Sequence, residues 1–340
     1  MTNPIPFGHM PDGTDVYKYT IRNHNGMEAI IITLGCTLTS VLIPTQSGPI
    51  DVCLGYNNAS EYLDRHSSMG AICGRFANRI AKGIFSLNNK TYQLAINNGP
   101  NHLHGGIIGY AYQVWNVASF DVSCISFTKL SPDMEEGYPG NLSLKVTYSI
   151  NDDNILSIKY EAECDQDTIL NLTNHSYWNL NGHDSGNAME HILHIPSTYF
   201  CPCDQYALVT GDIYPVKDTP FDFLNAHPIA SQIECDDEQL KNGSGYDHCF
   251  LLDSSSPITL KGNITGICME IKTDMPAVQF YTANHLHEQS GKNGAHYYPR
   301  NSVCLETEQV PDAPNKPQFP SCVLKAGEHF VSTTDHRFIF

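Results

Sequence analysis

"LSLKVTYSINDDNILSIKY", residues 142–160, carries the plainest structural signal in the chain. Leu142, Leu144, Val146 and Tyr148 alternate with polar residues, "NDDN" (151–154) interrupts, and Leu156, Ile158 and Tyr160 alternate on the way back. Successive side chains of a strand point to opposite faces, so a period of two reads as a half-buried strand. Two such runs about a short polar break read as an antiparallel pair. Asn and Asp suit the break because their side chains hydrogen-bond the nearby backbone.

Working outward, the same period recurs. Tyr17, Tyr19 and Ile21 share one face of an early strand, and Val278 and Phe280 do so late in the chain. "SLNNKTYQL" (86–94) reads as a hairpin, with Leu87 before an Asn-Asn-Lys turn and Tyr92 and Leu94 after it. Helical periodicity is confined to "SEYLDRH" (60–66) and "SQIECDDEQLKN" (231–242), each a short helix at most. Many strands with few helices predict an all-β fold, antiparallel sheets packed as a large sandwich. No internal repeat, low-complexity tract or linker divides the chain, so residues 1–340 are expected to form a single domain.

Composition narrows the partners. Lys and Arg total 19 against 36 Asp and Glu, a net charge of −17. That balance argues against nucleic acid, whose phosphates need clustered cations, and against anionic membranes. The N-terminus lacks the basic start and apolar run of a secretory signal. The greasiest stretch, "MEAIIITLGCTLTSVLIP" (27–44), is too short and too polar to span a bilayer. Twelve scattered cysteines contain no CxxC pair, only a lone CxC at Cys201 and Cys203, so reduced and mostly buried thiols are expected. A cytoplasmic location follows as an expectation.

Four clusters carry candidate chemistry. In "GRFANRIAKGIF" (74–85), Arg79 is either a surface charge or a forked donor that holds sugar hydroxyls beside the Asn78 amide. In "NNGPNHLHGG" (97–106), His102 and His104 would share a strand face at metal-ligand spacing, but "GGIIGY" follows where a cupin-like site would place a glutamate. The glycines suit close approach of a ligand to the backbone instead. "NHLH" returns at 284–287. The third cluster is "NLTNHSYWNLNG" (171–182), a histidine wrapped in amides, hydroxyls and aromatic rings. Such company either satisfies a buried histidine within a polar network or aims His175 at a substrate, with Tyr177 or Trp178 free to stack on a sugar face. The fourth is "NSVCLETEQVPDAPN" (301–315), where Glu306 leaves an apolar strand and Glu308 lies on the same side, a pair that is either a solvated edge or a general base and its neighbour.

These clusters, with "SPDMEEGYPGNL" (131–142), "GYDHCF" (245–250) and "AVQFYTAN" (277–284), run in one order and resemble the aldose 1-epimerases, also called galactose mutarotases. The resemblance covers nearly the whole chain. It implies the galactose mutarotase type of antiparallel β-sandwich, with His175 as the proton donor and Glu306 as the base. It sets Asn78, Arg79, His104, Tyr177, Asp247 and Gln279 around the sugar. It implies interconversion of the α and β anomers of free aldohexoses such as galactose and glucose, in a protein that is a monomer or homodimer. No cofactor and no metal is implied, and the chain has no dinucleotide or phosphate-loop fingerprint. Two departures stand out: "EQVP" follows Glu306 where relatives often carry an aromatic, and His285 and His287 are unexpected. The chemistry predicts that a carboxylate close to His175 favours its imidazolium form. A non-catalytic carbohydrate-binding protein of the same fold is the principal alternative. A glycoside hydrolase using Asp247 and Glu306, or a relative acting on hexose phosphates, ranks below it.

Overall fold

The alternating runs form the strands Leu142–Ile150 and Ile155–Cys164, paired antiparallel from Leu142↔Cys164 to Ile150↔Leu156. Their even-numbered apolar residues are buried, as a period of two demands. Asn151 closes the turn, its Oδ1 accepting from the N–H groups of Asp153 and Ile155, each at 3.0 Å.

The computed structural model describes residues 4–65, 67–253 and 256–340. The pair sits inside a nine-stranded sheet that runs from Asn116–Phe120 at one edge to His227–Pro228 at the other, with the long strand His329–Ile339 near its middle. A five-stranded sheet faces it, ordered Tyr214–Pro215, Tyr199–Cys201, Asp247–Leu251, Ala277–Tyr281, Cys304–Glu308. A second five-stranded sheet, Ile5–His9 through Ile50–Asp51, is built from the N-terminal residues. Every neighbouring pair of strands in these three sheets is antiparallel.

One apolar cluster joins the layers. Tyr148, Ile158 and Ile271 of the nine-stranded sheet meet Phe250, Phe280 and Leu305 of the facing one, with Ile31, Leu38 and Val41 from the N-terminal sheet. Burying each such side chain stabilises the fold by about 1.5–3 kcal/mol. The sandwich expectation therefore holds.

Details differ. The hairpin pairs Leu87 with Lys90, so its turn is the two residues Asn88 and Asn89. Both have positive φ (52° and 60°), which asparagine tolerates and a right-twisted hairpin favours. Lys90 belongs to the strand. The first helix is Ala59–Arg65; His66 lies outside the described residues. Only the end of 231–242 is α-helical, Glu238–Gly243, because Asp237 caps it by accepting from the Gln239 and Leu240 N–H groups.

Candidate active site

Strand alternation builds one wall of the site. On Cys304–Glu308, Leu305 enters the central core and Thr307 bonds Thr334 of the nine-stranded sheet at 2.6 Å. Glu306 and Glu308 must then face the other way. On the neighbouring strand, Val278 and Phe280 enter the core, so Gln279 shares the side of its register partner Glu306. On the third strand Phe250 enters the core and Asp247 faces out with Cys249, which pairs with Gln279. Gln279 Nε2 donates to Asp247 Oδ1 at 2.6 Å. Asp247, Gln279 and Glu306 thus form a continuous polar row on one face of this sheet.

His175 approaches from a second direction. Its segment pairs with Ile72–Cys73, its N–H donates to Ala71 O at 2.9 Å, and Trp178 exchanges backbone bonds with Val303. His175 Nε2 comes to 3.6 Å from Glu306 Oε1, and both side chains are buried. The ring lies against Tyr177, with centroids 5.1 Å apart and planes 15° apart, and against the edge of His104 at 5.3 Å.

His104 and Arg79 close the opposite side. The Asn78 N–H donates to His104 Nδ1 at 3.1 Å. A neutral imidazole that accepts at Nδ1 carries its proton on Nε2. His104 therefore offers a donor and no lone pair at that atom. His104, His175 and Glu306 each have a potential ligand atom within 4.8 Å of the others, but this tautomer does not suit a metal. Arg79 is fixed by Asn98 Oδ1 at 3.0 Å and Ala207 O at 3.2 Å, and its Nη1 lies 3.9 Å from Asp247.

Together these groups line a cavity of about 320 Å³ that also touches Ser67, Ser68, Tyr281, Leu286 and Gln289. That is the small end of the range for ligand sites, enough for one sugar ring.

Burial governs the protons. It pushes His175 down to about 4 and His104 well below the usual histidine range, with His175 and Arg79 adding repulsion at His104. It raises Glu306 well above the usual carboxylate range, with the charges of Glu308 and Asp247 adding to the rise. The expectation that a carboxylate would favour the His175 imidazolium is thus corrected. Desolvation, and not the carboxylate 3.6 Å away, governs His175, and it moves the two groups in opposite directions, His175 down and Glu306 up.

The chain matches the family described as Aldose 1-epimerase over residues 17–337. It is 40% identical to the galactose mutarotase of Sus scrofa, with 96% of each chain covered. It is 34% identical to the aldose 1-epimerase of Haemophilus influenzae, covering 96% of this chain and 97% of that one. The chain belongs to the aldose 1-epimerase family. Among solved structures, an aldose epimerase homologue from C. elegans superposes with a TM-score of 0.89 at 30% identity, covering 95% and 98%. A galactose 1-epimerase from Lactobacillus acidophilus gives 0.87 at 29%, covering 100% and 98%.

All eight residues expected from sequence line this one cavity. Several individual readings change. The Asn78 amide is already engaged: its Nδ2 donates to Glu308 at 3.0 Å and its Oδ1 accepts from the Arg79 N–H at 2.8 Å. His102 and His104 do not share a strand face, because the strand ends at Leu103 and His104 has φ +50°. His102 is buried between Ala95 O and Tyr138 Oη. Trp178 packs in the core against His336 and Phe338 and is no sugar platform. Tyr177 stacks on His175 itself. The amides of 171–182 hold backbone and neighbours, not the ring: Asn174 donates to Gly70 O, and Asn179 to Gly186 O and Asn301 O. Nδ1 of His175 finds no hydrogen-bonding neighbour among the described residues. His285 and His287 stand exposed at the cavity mouth. Sequence reasoning missed Asn98, which anchors Arg79, and Tyr281, whose place one strand step from Gln279 was the available signal.

Proposed function

We propose that this chain interconverts the α and β anomers of free aldohexoses, galactose and glucose among them, with Glu306 and His175 exchanging protons. The observation that carries the reading is the 3.6 Å approach of His175 Nε2 to Glu306 Oε1 inside a cavity sized for one sugar.

The chemistry follows from what inversion at an anomeric carbon requires. Glu306 takes the proton from O1 while His175 gives one to the ring oxygen. The C1–O5 bond breaks and leaves an aldehyde. The C1–C2 bond turns by half a revolution, and the ring closes on the other carbonyl face with the proton movements reversed. Each transfer is worth about 10²–10⁴-fold. His104 Nε2–H and the Arg79 fork would stabilise negative charge on oxygen, while Asp247 and Gln279 hold hydroxyls through the rotation.

The pair needs one shared proton throughout. The closed ring reacts with it on His175, and the open chain recloses with it on Glu306. Burial favours the second arrangement, so loss of the shared proton from Glu306 sets the alkaline limit of activity.

The apolar cluster, which runs from Ile21 to Phe338, supports a single domain. A cytoplasmic site is consistent with twelve free cysteines, nine of them buried. Among the described residues no helix is long and apolar enough to cross a membrane.

A time course of anomeric proton signals by NMR, on fresh α-anomers of galactose, glucose and other aldoses, tests the proposal and ranks the sugars. Accelerated appearance of β signals is expected. Unchanged rates for every sugar would refute it.

A further inference from the structure

Glu308 is a carboxyl that this reaction does not use. It stands two residues beyond Glu306 on the same face of the strand, with no exposed surface. An isolated buried carboxylate is costly, so its partners matter. Two side-chain amides aim at it: Asn78 Nδ2 reaches Oε1 at 3.0 Å, and Asn171 Nδ2 reaches Oε2 at 3.2 Å.

The two donors differ in what else they hold. Asn171 is pinned, since its Nδ2 also reaches Ala77 O at 3.0 Å and its Oδ1 accepts from the Gln309 N–H at 2.8 Å. Asn78 is the joint of the site. Its backbone adopts φ +61°, its Oδ1 accepts the Arg79 N–H, and its own N–H sets the His104 tautomer. Asparagine tolerates left-handed backbone better than most residues, but the conformation still persists only where the surroundings hold it. The bond to Glu308 is one such constraint.

We propose that Glu308 is a positioning residue for the epimerase reaction: its carboxyl group clamps the Asn78 turn that fixes the His104 ring, and it sets a second acidic group beside Glu306. The proposal rests on the functional reading above. Asp247, Arg79, His175 and the thiols of Cys73 and Cys249 also face these carboxyls, and of these Arg79 supplies the compensating cation. Burial lifts Glu308 to about 8, while the two amide bonds oppose the rise.

Glu308→Gln separates positioning from mere filling. A glutamine offers one acceptor where two donors arrive. Asn171 cannot turn, so the Asn78 amide must lose its bond or flip against the Arg79 N–H. Above about pH 8, where Glu308 is ionised, the variant also removes the charge beside Glu306. Wild-type acceleration of mutarotation is the control for the functional reading. With that in hand, Glu308→Gln should lower kcat at least tenfold and move the alkaline limb of kcat/KM to lower pH by about one unit. Glu308→Asp keeps the charge but retracts it, so it should lower kcat and leave the limb in place. A Glu308→Gln profile that superimposes on the wild type after uniform scaling would overturn the proposal. Should neither variant fold, wild-type protein with ¹⁵N labels decides: the Asn78 side-chain amide and the His104 ring should shift with one common midpoint. A His104 ring that stays still while the amide titrates would overturn it as well.

Discussion

Tyr177 lies flat against His175, with ring centroids 5.1 Å apart and planes 15° apart, while no neighbour among the described residues bonds the His175 Nδ1. Packing against Tyr177 therefore helps to aim this ring. Tyr177→Ala should lower kcat about 10- to 100-fold with a smaller change in KM, since a misplaced acid costs rate more than binding. Tyr177→Phe should restore most of the rate, because the Tyr177 hydroxyl makes only a 3.4 Å bond to Ser67 O. Steady-state kinetics of both variants check this.

Arg79 holds two fixed acceptors through its planar fork and stands 3.9 Å from Asp247. A lysine cannot span them. Arg79→Lys should raise KM about tenfold or more, with a lesser fall in kcat, because the fork holds hydroxyls in the ground state and also stabilises charge on oxygen in the transition state. A change confined to kcat would assign Arg79 to the chemical step instead.

The pH dependence of stability should form a dome. Burial holds His175, His191 and His336 at about 4 and His248 at about 3. Between pH 6.5 and 4 the unfolded chain binds more protons at each of these, so stability falls as pH drops, by about 1.4 kcal/mol per unit for each fully titrating group. Glu306 and Glu308 act in the opposite sense. Their raised values mean that the folded chain holds protons the unfolded chain has lost, so stability also falls as pH climbs above 4.5, for Glu308 toward 8. The histidines outnumber the carboxyls, which puts the maximum near pH 6.5. Thermal unfolding from pH 4 to 9 would show it; a melting temperature that rises steadily toward pH 4 would contradict these assignments.

The sheets were legible because period two is a local property: Leu142 to Tyr160 declare both their faces without reference to the rest of the chain. The same rule orients Glu306, Gln279 and Asp247, each opposite a core residue. What resisted reading depends on contacts far apart in sequence. His102 and His104 diverge because a strand stops between them, and nothing in "HLH" announces the stop. Trp178 is claimed by His336 and Phe338, about 160 positions away. The amides of "NLTNHSYWNLNG" look like a histidine's retinue but serve the backbone of an irregular crossing segment. The proton balance at His175 turned on burial, a quantity the sequence does not state.

Glu306→Gln keeps shape and removes the base. The most direct measurement is polarimetry on freshly dissolved α-D-galactose, with wild type and this variant side by side. The account predicts that wild type speeds the approach to the same final rotation, and that the variant loses about 10²–10⁴-fold of that rate while galactose binding by calorimetry persists. Equal rates for the two proteins would remove Glu306 from the chemistry, and a wild type that binds galactose without accelerating it would make this chain a sugar-binding protein.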